Sequence, residues 1–204
     1  MKTNNWDKFA EEKLRKIFTD KDYIIDIGGG LRVDPKRNNR AKNSNPWLES
    51  AIRSKNYKIL DKVPDYKPDI VGDIHKLPLA DNSIEAIICL AVLEHVEEPA
   101  LAVREMYRVL KPGGYCYIYV PFLYYYHPLK GYYQDFYRFT LDGVKYLTKD
   151  FSRVEIQNVR GALATVFNLF PIFSKRTGWF NWLDRVFKKE GSNQTSGFNI
   201  FCIK

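Results

Sequence analysis

A chain of 204 residues has room for one α/β domain with a sizeable core and is too short for two ordinary domains. Hydrophobic residues at 45% and charged residues at 27% are ordinary for a globular protein and exclude a disordered chain, while 14 Tyr and 13 Phe exceed what a core requires and leave rings over to line a pocket. The formal charge of +8 draws anionic partners of every kind, but without zinc-knuckle spacing, a long basic arm or a nucleic-acid module, nucleic acid is the disfavoured one.

Trp6, Phe9, Ala10, Leu14, Ile17 and Phe18 fall at helical spacing among Lys and Glu, which predicts an amphipathic leading helix within residues 1–20 that covers the sheet, the competing reading being a lid over the ligand. Tyr23 to Ile27 is a bulky apolar run broken only by Asp26, and it empties into Gly28-Gly29-Gly30. That reads as a buried parallel strand followed by a turn that brings backbone close to a ligand. Residues 31–55 form an insertion: a polar, basic loop from Leu31 to Asn45, then a short helix that Asn45-Pro46 starts. Tyr57 to Leu60 is a second strand, ending in Asp61, whose two oxygens match the vicinal diol of a ribose; the competing reading is a solvated turn carboxylate. Asp69 to Asp73 makes a short third strand. There Asp73 is placed to accept from an exocyclic amine, and Ile74 to offer its backbone amide to a ring nitrogen and its side chain to the ring face.

Ile84 to Leu90 is the fourth strand, and Pro99 to Leu110 a helix with Ala100, Val103, Tyr107 and Leu110 on one face. Lys111-Pro112-Gly113-Gly114 ends that helix and turns into a fifth strand, Tyr115 to Val120. Strands alternating with helices argue for a doubly wound, mostly parallel sheet. Cys89, Cys116 and Cys202 sit far apart in apolar runs, as buried free thiols do.

Taken together, Ile25-Asp26-Ile27-Gly28-Gly29-Gly30, Gly72-Asp73 to Leu77-Pro78, Asp81-Asn82-Ser83-Ile84-Glu85, Leu93-Glu94-His95-Val96 and Arg108-Val109-Leu110-Lys111-Pro112-Gly113-Gly114 resemble the class I S-adenosylmethionine-dependent methyltransferases. The resemblance runs from about Tyr23 to Phe151. It implies a Rossmann-like seven-stranded sheet with an antiparallel last strand and S-adenosyl-L-methionine as cofactor. It also implies that Asp26, Gly28 and Gly30 surround the methionine part, Asp61 holds the ribose, Asp73 and Ile74 contact adenine, and Leu90 borders the cofactor. The chain departs from the family in carrying Arg32 where a further glycine is common, and in a longer loop before the second strand, which brings Asp34 in as an alternative to Asp61. A nicotinamide enzyme is disfavoured, since the dinucleotide fingerprint needs a glycine where Val33 stands.

Pro121 to Thr140 leaves the carboxyl end of a strand, where an acceptor pocket belongs, and is dense in rings that pack on sugars and favour cations at their faces. If the acceptor is an aliphatic hydroxyl its proton must leave, and His95 and His127 are the candidate bases. Tyr126, Asp135, Tyr137 and Arg138 are the candidate acceptor-binding residues. Asp135 to Thr140 resembles an Asp-aromatic-Arg-Phe-Thr motif of methyltransferases associated with surface-glycan synthesis; the simpler reading is an Arg138–Asp135 pair. Thr140 caps a helix from Leu141 to Lys149, Ser152 to Asn158 is a half-exposed strand, and Phe198 to Ile203 is the last. Between those strands, residues 161–197 form an aromatic, basic insertion, of which 161–190 suits a pocket cover, self-association or peripheral membrane contact.

The expectation is therefore a single domain, residues 1–204, acting as a methyltransferase on a small-molecule or glycan-like acceptor, at oxygen. The alternative is a non-catalytic S-adenosylmethionine-binding regulatory or partner module. No metal-ligand spacing stands out. A polar N-terminus without an apolar stretch of signal-peptide length predicts a cytoplasmic location.

Overall fold

The computed structural model describes residues 4–29, 31, 46–170 and 177–204. In chain order its elements are α1 (Asn5–Asp20), β1 (Tyr23–Ile27), α2 (Pro46–Arg53), β2 (Asn56–Asp61), β3 (Ile70–Val71), β4 (Ile84–Leu90), α3 (Pro99–Val109), β5 (Leu110–Pro121), α4 (Leu141–Leu147), β6 (Arg153–Val159), α5 (Ala162–Asn168), α6 (Thr177–Val186) and β7 (Gly197–Ile203). Single 3₁₀ turns lie at Pro64–Tyr66 and Leu93–His95.

The seven strands form one sheet in the order β3-β2-β1-β4-β5-β7-β6. The first five run parallel, and β7 lies antiparallel between β5 and β6. Because β1 sits between β2 and β4, the chain winds outward in both directions from β1. The crevice at the carboxyl ends of β1 and β4 is the switch point at which such sheets bind ligands.

Alternation along the strands gives the sheet two apolar faces. Ile25, Ile27, Ile87, Cys89 and Ile118 pack with Met106 and Val109 of α3, whereas Ile24, Ile88, Tyr117 and Phe201 pack under Leu14, Ile17 and Phe18 of α1. Ile17 is fully buried, worth roughly 2 kcal/mol of transfer free energy, so the leading helix is a covering element. Cys89, Cys116 and Cys202 are all free and buried, with Cys116 and Cys202 opposite each other across β5 and β7.

Local chemistry shifted three expected boundaries. The third strand shrinks to two residues because Asp69 and Asp73 take backbone donors themselves: Ile59 N donates to Asp69 Oδ2 at 2.8 Å and His75 N to Asp73 Oδ1 at 2.9 Å. The segment from Lys111 to Gly114 does not separate helix from strand. It is a bulged lead-in within β5, where pairing jumps from Ile84–Leu110 to Ala86–Tyr115 and Gly113 adopts φ +72°. Thr140 caps α4, its Oγ1 accepting from Gly143 N at 3.1 Å, but α4 ends at Leu147.

The insertion after β6 folds as α5 packed on α6, with Phe167 and Phe180 stacked at 4.0 Å. Val166, Phe170, Trp179, Trp182, Val186 and Phe187 are exposed. No described helix is long and apolar enough to cross a membrane.

Candidate active site

A cavity of about 860 Å³ opens at the switch point, walled by the ends of β1, β2 and β4 on one side and by residues 128–134 and Phe136 of the aromatic loop on the other. The turn after β1 forms its floor. Gly28 has φ +77°, donates its N–H to Leu60 O at 2.8 Å, and leaves no space for a Cβ, which would meet Val92 Cγ2 at 2.6 Å. Asp26 lies beneath this turn, fully buried, with Oδ2 accepting from Leu31 N at 3.1 Å and from the Tyr57 hydroxyl. It therefore braces the turn from below and does not line the cavity. Gly30 and Asp34 lie outside the described residues.

Asp61, Asp73, Ile74 and Leu90 all line the cavity. One oxygen of Asp61 accepts from Val63 N at 2.8 Å, and burial pushes its carboxyl above the usual range. Asp73 is more fully engaged. Oδ2 pairs with Lys62 at 2.8 Å and Oδ1 with His75 Nδ1 at 2.7 Å; although burial opposes ionisation, these bonds hold its carboxyl down at about 2. His75, which sequence reasoning passed over, is thereby oriented at the cavity wall, its Nε2 accepting from Glu98 N at 3.2 Å.

Across the cavity, Tyr66 and Tyr132 stack at 5.4 Å, and Tyr133 packs on the ring of His95 at 4.3 Å. His95 lines the cavity, its Nδ1 bonded to Gln134 O at 2.6 Å, and burial lowers its pKa. His127 lies behind it, with ring centres 5.0 Å apart, and is not part of the wall.

The expected acceptor-binding residues also lie off the wall, and the reason is that the loop uses them on itself. Arg138 grips Asp135 through both guanidinium nitrogens, at 2.6 and 2.7 Å, and donates to the carbonyls of Tyr124, Tyr125 and Tyr137. Asp135 also accepts from His127 N at 2.8 Å. The Tyr137 hydroxyl donates to Glu97 O at 2.8 Å, and Tyr126 is 74% exposed on the outer surface. None of the described residues of 161–190 reaches the cavity either, which removes the pocket-cover reading for them; α5 and α6 follow β6, at the far edge of the sheet.

Glu94 is the residue that sequence reasoning missed. It is 1% exposed, neither carboxylate oxygen has a hydrogen-bond partner among the described residues, and burial pushes its carboxyl up to about 7. Its main-chain carbonyl accepts from Phe136 N and Tyr137 N, at 2.8 and 3.2 Å, which ties the aromatic loop to the end of β4. The available signal was a glutamate between Leu93 and His95 in a turn otherwise apolar.

Residues 41–118 match the family model of a methyltransferase domain. Among solved structures, a SAM-dependent methyltransferase from Archaeoglobus fulgidus superposes with a TM-score of 0.58 at 15% identity, covering 97% of this chain and 94% of that one. Another from Mesorhizobium loti gives 0.55 at 16%, covering 95% and 96%. The fold is a methyltransferase fold. Phosphoethanolamine N-methyltransferase 2 from Haemonchus contortus, solved in complex with S-adenosyl-L-methionine, shares it at 12% identity and a TM-score of 0.53, over 96% of this chain and 52% of that one. Among curated relatives, the ubiquinone/menaquinone biosynthesis C-methyltransferase UbiE of Desulfotalea psychrophila is 48% identical over 46 residues, 22% of this chain and 19% of that protein. The demethylmenaquinone methyltransferase of Renibacterium salmoninarum is 49% identical over 51 residues, 24% of this chain and 22% of that protein. The matched stretch is thus less than a quarter of either relative's length. Family model, relatives and fold together support an S-adenosylmethionine-dependent methyltransferase, with S-adenosylmethionine as cofactor.

Proposed function

We propose that this protein methylates a hydroxyl oxygen of a small-molecule or glycan-like acceptor. The observation that carries the reading is a single cavity with Gly28, Asp61 and Asp73 on its sheet wall and His95 on the opposite wall. The residues fit the cofactor: Gly28 turns the chain at positive φ on the cavity wall, and Asp61 presents one carboxylate oxygen beyond its bonds to its own turn. Asp61 would hold the ribose and Asp73 with Ile74 the adenine, Asp73 trading part of its bond to Lys62 for the ligand's amine. Bound there, S-adenosylmethionine supplies an electrophilic methyl group on a sulfonium.

The chain's own residues do the rest. Tyr132, Tyr133 and Phe136 present rings suited to packing on a sugar face and exclude water around the reacting atoms. His95, on the cavity wall, serves to take the proton from the acceptor oxygen, with His127 behind it. Oxygen is favoured over carbon because two imidazoles gather on the acceptor side. The match to the named C-methyltransferase spans 46 residues, too few to carry an acceptor preference with it. The ring-rich loop motif, Asp135 to Thr140, supports a glycan-like acceptor, and three free buried thiols fit a reducing, cytoplasmic compartment. The exposed rings of α5 and α6 are assigned to contact away from the cavity, with a second copy or a membrane surface.

Calorimetry with S-adenosylmethionine and S-adenosylhomocysteine tests the cofactor site, and a panel of hydroxylated acceptors tests the transfer. His95→Ala is expected to keep cofactor affinity and to lower turnover by about a hundredfold or more. Failure to bind either nucleoside would overturn the proposal, and binding without turnover on any acceptor would favour the regulatory module.

A further inference from the structure

We propose that Glu94, His95 and His127 form a binding site for a divalent transition-metal cation, with zinc the best fit, at the acceptor side of the cavity. The site stands on its own geometry, and only its role rests on the hydroxyl-methylation reading above.

The ligand atoms of the three residues all lie within 4.8 Å of one another. Glu94 Oε1 is 3.9 Å from His95 Nε2 and 3.8 Å from His127 Nε2. Both separations are too long for hydrogen bonds. They are close to the span of two metal bonds: zinc binds imidazole nitrogen at about 2.0–2.1 Å and carboxylate oxygen at about 2.0–2.2 Å, so two donors at a tetrahedral angle sit roughly 3.4 Å apart. Each donor needs to move inward by only a few tenths of an ångström.

Two independent features point the same way. The first is the carboxylate of Glu94, buried to 1% exposure with neither oxygen hydrogen-bonded among the described residues. A polar group left so in a folded protein is costly, and a cation between the imidazoles removes the cost. The second is how the rings are held. His95 Nδ1 is bonded to Gln134 O at 2.6 Å, while His127 Nδ1 faces Tyr125 O at 3.0 Å and Asp135 Oδ2 at 3.2 Å. With Nδ1–H donating outward on both rings, each Nε2 keeps its lone pair toward Glu94, as metal-binding histidines do. Arg138, whose Nη2 lies 3.4 Å from His127 Nδ1, is neutralised by its two-point grip on Asp135.

Two nitrogens and one carboxylate suit zinc and leave a fourth position, and of the three ligands His95 borders the cavity from which an acceptor would reach it. With the cation bound, His95 and His127 hold it instead of taking the proton themselves: an acceptor hydroxyl entering the fourth position would become more acidic and give its proton to water at the mouth of the cavity. The oxygen's electron pair then forms the bond to the methyl carbon while the carbon–sulfur bond breaks, its pair returning to sulfur. The cation is neither oxidised nor reduced.

The test uses the full chain without an affinity tag, stripped with a chelator and titrated with zinc chloride by calorimetry and with cobalt chloride by visible absorption. One equivalent is expected to bind, with the cobalt spectrum of a four-coordinate site. His127→Ala and Glu94→Gln are each expected to weaken binding more than about tenfold while keeping S-adenosylhomocysteine affinity, which shows that they fold. Absence of stoichiometric binding in the wild type, or binding unchanged in both variants, would overturn the site. Cation binding without hydroxyl methylation would leave the site standing and sink the acceptor reading; methylation that survives chelation, in a chain that binds no cation, would do the reverse.

Discussion

Asp26 and Glu94 are both acids buried near the carboxyl ends of adjacent strands, yet their surroundings set them to different work. Asp26 has a backbone amide and a phenol on one oxygen, so it is a brace under the glycine turn. Among the described residues Glu94 has no hydrogen-bond partner for either oxygen, so it is held in reserve for a ligand or a proton. Nothing in the residue types separates the two; the distinction depends on Tyr57 and Leu31 reaching one and on no described donor coming within hydrogen-bond distance of the other. Gly28 is the opposite case, because a strand emptying into three glycines states its backbone requirement in the sequence itself. Gly28→Ala combines a left-handed backbone with a contact at 2.6 Å on Val92. We expect it to lower stability by about 1–3 kcal/mol and to weaken S-adenosylhomocysteine binding, as read by urea denaturation and calorimetry; an unchanged affinity would show that the turn does not touch the cofactor.

Among the elements, the α5–α6 pair was legible only as an apolar, basic insertion, since rings on several faces of both segments hide which face each helix turns to the other. Beside the Phe167–Phe180 stack, one polar side chain joins them. Asp184 of α6 is fully buried and accepts from Leu163 N and Ala164 N, both at 2.9 Å, so it satisfies the free amides at the start of α5. Gly161 makes room for it, as a Cβ there would stand 2.4 Å from Asp184 Cγ. Gly161→Ala is expected to force Asp184 off the amides and to cost about 2 kcal/mol. Because α5 and α6 do not line the cavity, cofactor affinity should hold. Denaturation and calorimetry on the same variant check both halves, and a simultaneous loss of affinity would mean that the insertion supports the site after all.

At the scale of the whole molecule, the strands and the main helices were legible because each carries its own period or its own stop signal: Ile84 to Leu90 is apolar throughout, and Thr140 is a cap by its chemistry alone. Asp61 and Asp73 could be assigned to the cavity for a related reason, since the end of a parallel strand fixes where its last side chains go. The aromatic loop was different. Whether Arg138 meets an acceptor or Asp135 depends on how residues 122–140 fold back on the Glu94 carbonyl, a contact spanning more than forty positions that no local pattern encodes. So the sheet wall of the site was readable, and the acceptor wall was not.

The three free cysteines carry a practical consequence. Burial raises the thiols of Cys89 and Cys116 well above their usual range and Cys202 to about 12, and they sit on neighbouring strands β4, β5 and β7 in the middle of the sheet. Alkylating reagents attack only the thiolate, so none of the three should react until those central strands part. In the native protein a thiol reagent should therefore modify no cysteine, and in denaturant all three at once; partial labelling of Cys202 alone would show that β7 opens separately. The chain thus contains its own clock for global opening, and a slowing of that clock when S-adenosylhomocysteine is added would measure cofactor binding without any knowledge of the acceptor.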